Sequence, residues 1–232
     1  AKFTAVVTCR TNGTSSAPYD SFNLATHVGD APASVATNRA ILRDELKLPS
    51  EPYWLNQTHT SRALDIPFEY RSDIKADASF TSARQKPCVV LTADCLPLLL
   101  VNDDASEVAA IHAGWRGLAE GIITNTINAM GSRPDRLHVY LGPAIGPSAF
   151  EVGAEVRQAF VARMDKFQEA FQAGLGDRLF ANLYALATIE LQQLGVKHIS
   201  GGEFCTYSQP NLFYSYRRDG QTGRMASLIW LK

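Results

Sequence analysis

The stretch "TADCLPLLLVNDDASEVAAIHAGWRG", Thr92 to Gly117, sets two apolar runs around a polar turn and then changes period. "LPLLLV" and "EVAAIH" read as buried strands, with "NDDAS" turning the chain between them. Pro97 has no N–H for a sheet ladder, so it marks a strand start or a bulge. Beyond His112 the apolar positions Leu118, Ile122, Ile123, Ile127 and Met130 follow helical spacing, and Gly131 is a natural stop. Cys95 and His112 therefore stand at the ends of core strands, where side chains are fixed by the scaffold yet face a crevice.

Working outward, "FTAVVTC" alternates as a strand does. "RTNGTSSAPYDSFNLATHVGDAP" has no periodicity, and a loop of that length inside a compact domain is usually functional or disordered. A helix is expected from Ser34, with Ser34 as its cap and Val35, Ala40, Ile41 and Leu48 near one face. Short strands are expected at "PYWLN", "ALDI" and "ASFTS", and a buried one at "PCVVLTA". "LHVYL" reads as a strand, "GPAIGPSA" as a turn and "FEVGAEVRQAFVARM" as a helix. Phe180, Leu183, Tyr184, Ala187, Leu191 and Leu194 form another helical face ended by Gly195. The finish, "LFYSYRRDGQTGRMASLIWL", reads as a hairpin with a Gly-bearing turn. No repeat, low-complexity tract or linker interrupts this order, so a single α+β domain over residues 1–232 is expected.

Composition excludes several function classes. Apolar residues are 46%, charged residues 19% and formal net charge −1, a globular balance without the charge footprint of a nucleic-acid or anionic-lipid binder. The apolar run Leu96 to Val101 is too short to span a bilayer, and the start "AKFTAVVTCR" does not read as a secretory signal. The four cysteines, Cys9, Cys88, Cys95 and Cys205, form no CxxC, and a reduced cytoplasmic protein is the simpler expectation.

His59, Cys95 and His112 together make a His2Cys set. It admits a zinc site with an open fourth position, a trigonal copper site, or, without metal, a Cys95 nucleophile with His112 as its base. The glycine-flanked helix start after His112 suits an anion. Arg116, in that first turn, either supports such an anion, pairs with Asp94 or points to solvent. His27 in the long loop can contact substrate; His138 and His198 read as surface positions, and Cys9, Cys88 and Cys205 as structural.

Block after block, "SFNLATHVGD", "NRAIL", "ADASFT", "TADCLPLLLV", "VAAIHAGWRGL", "LGPAIGPSAFEVG" and "FYSYRRDGQTGRMASLIWL" resemble the YfiH-like laccase-domain family. The blocks are collinear and cover nearly the whole chain. That family carries the name multicopper polyphenol oxidase and has been assigned purine nucleoside phosphorylase and adenosine deaminase activities. The resemblance implies a four-layer α/β/β/α fold with mixed sheets and a catalytic zinc, with copper as the alternative metal. Its ligands fall on His59, Cys95 and His112. This chain departs from the pattern at "QTHT", where Thr60 replaces the usual Gly and puts the pocket shape in question.

The implied reactions are phosphorolysis of adenosine, inosine, guanosine and methylthioadenosine, and deamination of adenosine. The H-x-E and P-C-x-x-C deaminase signature is absent, so a general base is needed from elsewhere, and Asp94 is the candidate. For phosphate, Arg116 and the Arg217–Arg218 pair are the expected donors, with Asn23 and Arg39 reaching the same pocket. Trp115 either stacks on a purine or fills the core. The expected partners are small purine nucleosides and phosphate, with no nucleic acid or membrane, for a monomer or homodimer. A copper phenol oxidase is the competing enzyme, with Met130 or Met225 as axial ligand; five histidines and no His-x-His pair count against it. A metal-free Cys–His hydrolase is the third possibility.

Overall fold

The computed structural model describes residues 2–66 and 74–232. β1 (Phe3–Val7) leads through the long loop to α1 (Pro32–Leu46), then β2 (Tyr53–Trp54) and β3 (Ala63–Asp65). Next come β4 (Ala78–Thr81), β5 (Cys88–Thr92), β6 (Leu96–Asn102) and β7 (Val108–Ala113). α2 (Trp115–Ala119) and α3 (Ile122–Ala129) precede β8 (Leu137–Leu141), β9 (Glu151–Val152) and α4 (Ala154–Val161). β10 (Phe171–Ala173), β11 (Leu179–Ala181), α5 (Leu183–Gln193), β12 (His198–Gly201), α6 (Tyr216–Asp219) and β13 (Met225–Leu231) follow.

Two sheets lie face to face, one in the order β1-β13-β5-β2 and the other in the order β12-β8-β6-β7-β4-β3. Period-two alternation decides which side chain enters which layer. Val89 and Leu91 of β5, with Leu228 and Trp230 of β13, pack with Leu42 of α1. Their neighbours Cys88, Val90, Ile229 and Leu231 turn the other way, against Leu99, Val101, Val108 and Ala110 of the second sheet. Leu98, Leu100, Ala109 and Ile111 face outward again and meet Ile123, Ile127, Val156 and Leu186 of the helices beyond. The result is the expected α/β/β/α stack. β6 and β7 read as unbroken apolar runs because both of their faces are buried.

Several local expectations are corrected. α1 starts at Pro32 with Ala31 in the cap position, two residues before Ser34; proline suits a first helical turn because its missing N–H would be unpaired there anyway. The single helix expected after His112 is two, because Gly121 takes a left-handed φ of 84° and breaks the hydrogen-bonded run. The terminal hairpin is absent: both edges of β13 are occupied, by β1 and β5, so residues before it have no strand to join. They form instead the one-turn α6, capped by the Ser215 hydroxyl, which accepts from Arg218 N. Phe180, counted in a helical face, belongs to β11, and Glu151 and Val152 of the helix expected at "FEVGAEVRQAFVARM" form β9.

Register places the chemistry. Leu96 pairs with Ala113 and Pro97 with His112, so Cys95 and Gly114 leave the same end of the β6–β7 pair. The long loop is organised by buried Asn38 of α1. Its amide donates to Ser15 Oγ, Ser21 O and Asn23 O, and its oxygen accepts from Thr14 N. This satisfies backbone groups that no ladder reaches and brings His27 to the cleft wall.

Candidate metal centre

The ligand atoms of His59, Cys95 and His112 lie within 4.8 Å of one another. Cys95 Sγ stands 3.7 Å from His59 Nε2. Two ligands of one tetrahedral zinc, at ordinary Zn–S and Zn–N lengths, are about 3.5 Å apart, so this pair is already at chelating distance. The His59 and His112 rings meet edge to face, 5.0 Å between centroids. His112 is buried, while Cys95 and His59 reach the cleft. Two imidazoles and a thiol suit a borderline-soft divalent ion, and three protein ligands leave a fourth position open.

Asp77, unmarked as a site residue in the sequence, holds this set together. It is fully buried at the entry to β4, and its two oxygens receive five donors. Oδ1 accepts from His112 Nδ1 at 2.7 Å and His59 N at 3.0 Å. Oδ2 accepts from Thr58 N at 3.2 Å, Thr60 N at 2.6 Å and the Thr60 hydroxyl at 2.8 Å. The bond to Nδ1 fixes the His112 tautomer, so that the neutral ring presents Nε2 with its lone pair, the arrangement a metal-binding histidine needs. Thr60 is accommodated by this carboxylate. The left-handed backbone falls at His59, with φ 64°, and Thr60 adds a hydroxyl donor where a glycine has none.

Electrostatics are set by the same contacts. Burial alone pushes the Cys95 thiol up, but His112 and His59 outweigh it and bring it down to about 6. Burial alone pushes His112 down, whereas Cys95 and Asp77 raise it to about 9. Without metal the pair is thus a thiolate and an imidazolium. Cys88, enclosed in the core, is pushed up to about 12. In chelator-treated protein, alkylation of Cys95 by iodoacetamide, mapped by mass spectrometry, is expected to rise with a midpoint near pH 6 while Cys88 stays unmodified. A midpoint near that of a free thiol would show that the imidazoles do not bear on the sulfur.

The cleft above these ligands has a volume of about 550 Å³. Arg116 and Arg217 line it, as do Asp94, Trp115 and Tyr216. Asp94 is not free to act alone: Oδ1 accepts from the Thr206 hydroxyl at 2.6 Å and Oδ2 from Arg217 N at 2.7 Å. Arg116 lies over the Trp115 ring at 4.4 Å, and among the described residues the oxygens of Asp94 accept from Thr206 and Arg217 N, not from Arg116. The helix start expected to hold an anion belongs to the five-residue α2, too short to build a substantial dipole. Arg218 turns inward, to the Thr206, Tyr207 and Phe213 carbonyls and Asp219.

Asn23 and Arg39 do not line the cleft. Asn23 is fully buried and spends its oxygen on Ala25 N and Arg224 N. Arg39 stacks on Trp54 at 3.8 Å. The cleft arginine that sequence reasoning missed is Arg224, which lay inside the supposed hairpin. Met130 packs in the helical core, and Met225 Sδ accepts from Tyr214 N. Neither reaches the cleft, so the axial thioether of a copper site is not supplied. His138 and His198 stack on each other at 4.5 Å, away from the cleft.

A family model described as multi-copper polyphenol oxidoreductase laccase matches residues 4–232. The chain belongs to this laccase family. A purine nucleoside phosphorylase of Haemophilus influenzae is 45% identical over 98% of this chain and 94% of its own length. The Escherichia coli purine nucleoside phosphorylase YfiH is 48% identical over 96% of this chain and 91% of its own. A Neisseria meningitidis crystal structure superposes with a TM-score of 0.95 at 45% identity, covering 100% of this chain and 95% of that one. The Bacillus licheniformis YfiH structure gives 0.93 at 30% identity, covering 99% and 93%. The family is named for copper, whereas these curated relatives are named for a nucleoside reaction. Among the described residues no helix is long and apolar enough to cross a membrane.

Proposed function

We propose that the chain is a zinc-dependent purine nucleoside phosphorylase that also deaminates adenosine. The observation that carries this reading is the His59–Cys95–His112 set at the floor of a cleft walled by arginines and aromatic rings. The relatives named as purine nucleoside phosphorylases support it. The substrates are adenosine, inosine, guanosine and methylthioadenosine, and the setting is the cytoplasm, in keeping with four unpaired cysteines.

His59, Cys95 and His112 would hold the metal. Zinc, when bound there, supplies a Lewis acid that makes water a better nucleophile near neutral pH. The residues do the rest. Asp77 keeps the His112 proton on Nδ1 and fixes the turn that carries His59. Trp115, Phe150 and Tyr216 give flat apolar walls of the kind a purine stacks on. Arg116 and Arg217 supply positive charge for phosphate. Asp94, proposed from sequence as the base, ties the Arg217 and Thr206 segments to the strand end that bears Cys95; a proton accepted there must compete with both donors.

Product analysis tests this. Zinc-loaded protein with adenosine is expected to yield inosine, and with added phosphate also free purine and ribose 1-phosphate. Cys95→Ala is expected to lose bound zinc and to reduce both rates at least a hundredfold, since second-shell changes alone cost about 10–100-fold. If neither inosine nor free base forms, the reading fails.

One observation favours a second reading. Asp77, His112 and Cys95 also form a carboxylate–imidazole–thiol chain, the order a metal-free cysteine nucleophile uses. His59 separates the two. A metal enzyme loses activity in His59→Ala and in chelator, whereas a cysteine nucleophile keeps it in both.

A further inference from the structure

Several arginines outside the cleft are neutralised by carboxylates: Arg10 by Asp20, Arg136 by Asp103 and Asp104, Arg163 by Glu190. Among the described residues, those lining the cleft form no such ion pair. Arg224 Nη1 donates to the Thr222 and Gly223 carbonyls at 2.8 and 2.9 Å. Arg217 Nη1 donates to Glu151 O at 3.0 Å, with its guanidinium 5.4 Å from the Phe150 ring. These contacts aim the cations without cancelling their charge. Among the described residues Asp94 is the one carboxylate in the wall, and its oxygens accept from the Thr206 hydroxyl and Arg217 N.

Arg224 is also the best supported of the three. It is half-buried, whereas Arg116 and Arg217 are exposed. Its N donates to Asn23 Oδ1 at 3.0 Å, and Asn23 is itself fixed by bonds to Ala25 and Asp30. Among the described residues its Nη2 and Nε have no hydrogen-bond partner, so the face of the fork opposite the two carbonyls is available. A planar fork with free parallel N–H groups matches two oxygens of a tetrahedral oxyanion.

We infer that Arg224, with Arg217, forms the oxyanion-binding pair of the cleft and holds inorganic phosphate during phosphorolysis. This rests on the phosphorylase reading. A phosphate oxygen bonds to C1′ of the nucleoside as the C1′–N9 bond breaks. The electron pair of that bond passes to the purine, which takes up the proton that phosphate gives up. The product sugar 1-phosphate keeps the same oxyanion in the same fork. Asn23 becomes a positioning residue, acting through Arg224.

Steady-state kinetics with phosphate and inosine varied separately test the assignment on zinc-loaded protein. Arg224→Gln is expected to raise the phosphate KM about 10- to 100-fold, as loss of hydrogen bonds to a charged group does, with a much smaller change in the inosine KM. Arg224→Lys, which keeps charge but not the fork, is expected to fall between. Parallel rises in both KM values, with Lys no better than Gln, would mean a merely structural role and overturn the proposal. Calorimetric titration of inorganic phosphate into wild type and Arg224→Gln separates this inference from the one beneath it. Phosphate binding that weakens in the variant sustains the anion site even if no nucleoside is cleaved. Equal binding to both proteins, or none to wild type, removes it whatever the catalytic result.

Discussion

Asp77→Asn is expected to cost the protein both its metal and a large part of its thermal stability. Asparagine keeps the shape of the side chain but replaces one acceptor oxygen with an NH2. One flip turns that group toward His112 Nδ1 and His59 N; the other turns it toward Thr58 N, Thr60 N and the Thr60 hydroxyl. Either way buried donors face a donor. A stranded buried donor costs about 1–3 kcal/mol, and breaking a buried charged pair about 3–5 kcal/mol. For a domain of this size that lowers Tm by roughly 10 °C. Zinc affinity should fall at least 10- to 100-fold, because the His112 tautomer is no longer dictated. Burial pushes the Asp77 carboxyl up, but His112 and Thr60 outweigh it and hold it below the ordinary 3.8. A depressed carboxylate adds stability that is present above its unfolded pKa and lost as pH falls through the lower folded one. The gap in Tm between wild type and Asp77→Asn, measured without metal, should therefore be full near neutrality and shrink below pH 4. A gap of a degree or two at neutral pH, with zinc affinity unchanged, would refute the role assigned to Asp77.

That residue also shows where the sequence stops being readable. His59, Cys95 and His112 stand out because their chemistry is rare at the mouths of apolar strands, and the strands themselves are plain in the pattern. Asp77 has no such mark. An acid before "ASFT" looks like any turn residue, and its five donors come from 58–60 and from 112, brought together by the pairing of β4 with β3 on one side and with β7 on the other. Arg224 was hidden for a related reason. "RDGQTGR" has the composition of a hairpin turn, and nothing local says that β13 is already flanked on both sides. The break at Gly121 is likewise non-local: helical spacing runs straight through it, while the backbone turns so that α3 can lie across β7. The buried strands were legible because an apolar run is a property of each strand by itself, whereas their stacking in four layers was implied only by the family resemblance. Site assembly depends on pairings between segments far apart in the chain, which is where single-segment reading gave Asn23 and Arg39 places that the long loop does not give them.

Gly114→Ala isolates the geometry on which the metal assignment depends. Gly114 has φ −67° and ψ 157°, a conformation open to any residue, so the substitution carries no backbone strain. An added Cβ would stand 2.7 Å from His59 Cδ2 and 3.0 Å from Cys95 Sγ. Neither neighbour has an easy retreat. His59 sits in a left-handed backbone pinned by Asp77, and Cys95 follows Asp94, whose own φ of 91° is held by Thr206 and Arg217. Overpacking of this kind costs about 1–3 kcal/mol, partly offset by about 0.4–1 kcal/mol from the stiffer unfolded chain, so Tm should move by only a few degrees. The ligands, by contrast, must part by several tenths of an ångström at a site that already spans 4.8 Å. Zinc affinity, measured by competition with a chromophoric chelator, should drop at least tenfold. Gly117→Ala provides the comparison: its Cβ would meet Thr60 O at 3.1 Å and no ligand side chain, so its effect on zinc should be smaller. If Gly114→Ala binds zinc as tightly as the parent protein, His59 and Cys95 do not share an ion across that glycine. The cleft would then have to be explained through the Cys95–His112–Asp77 chain alone.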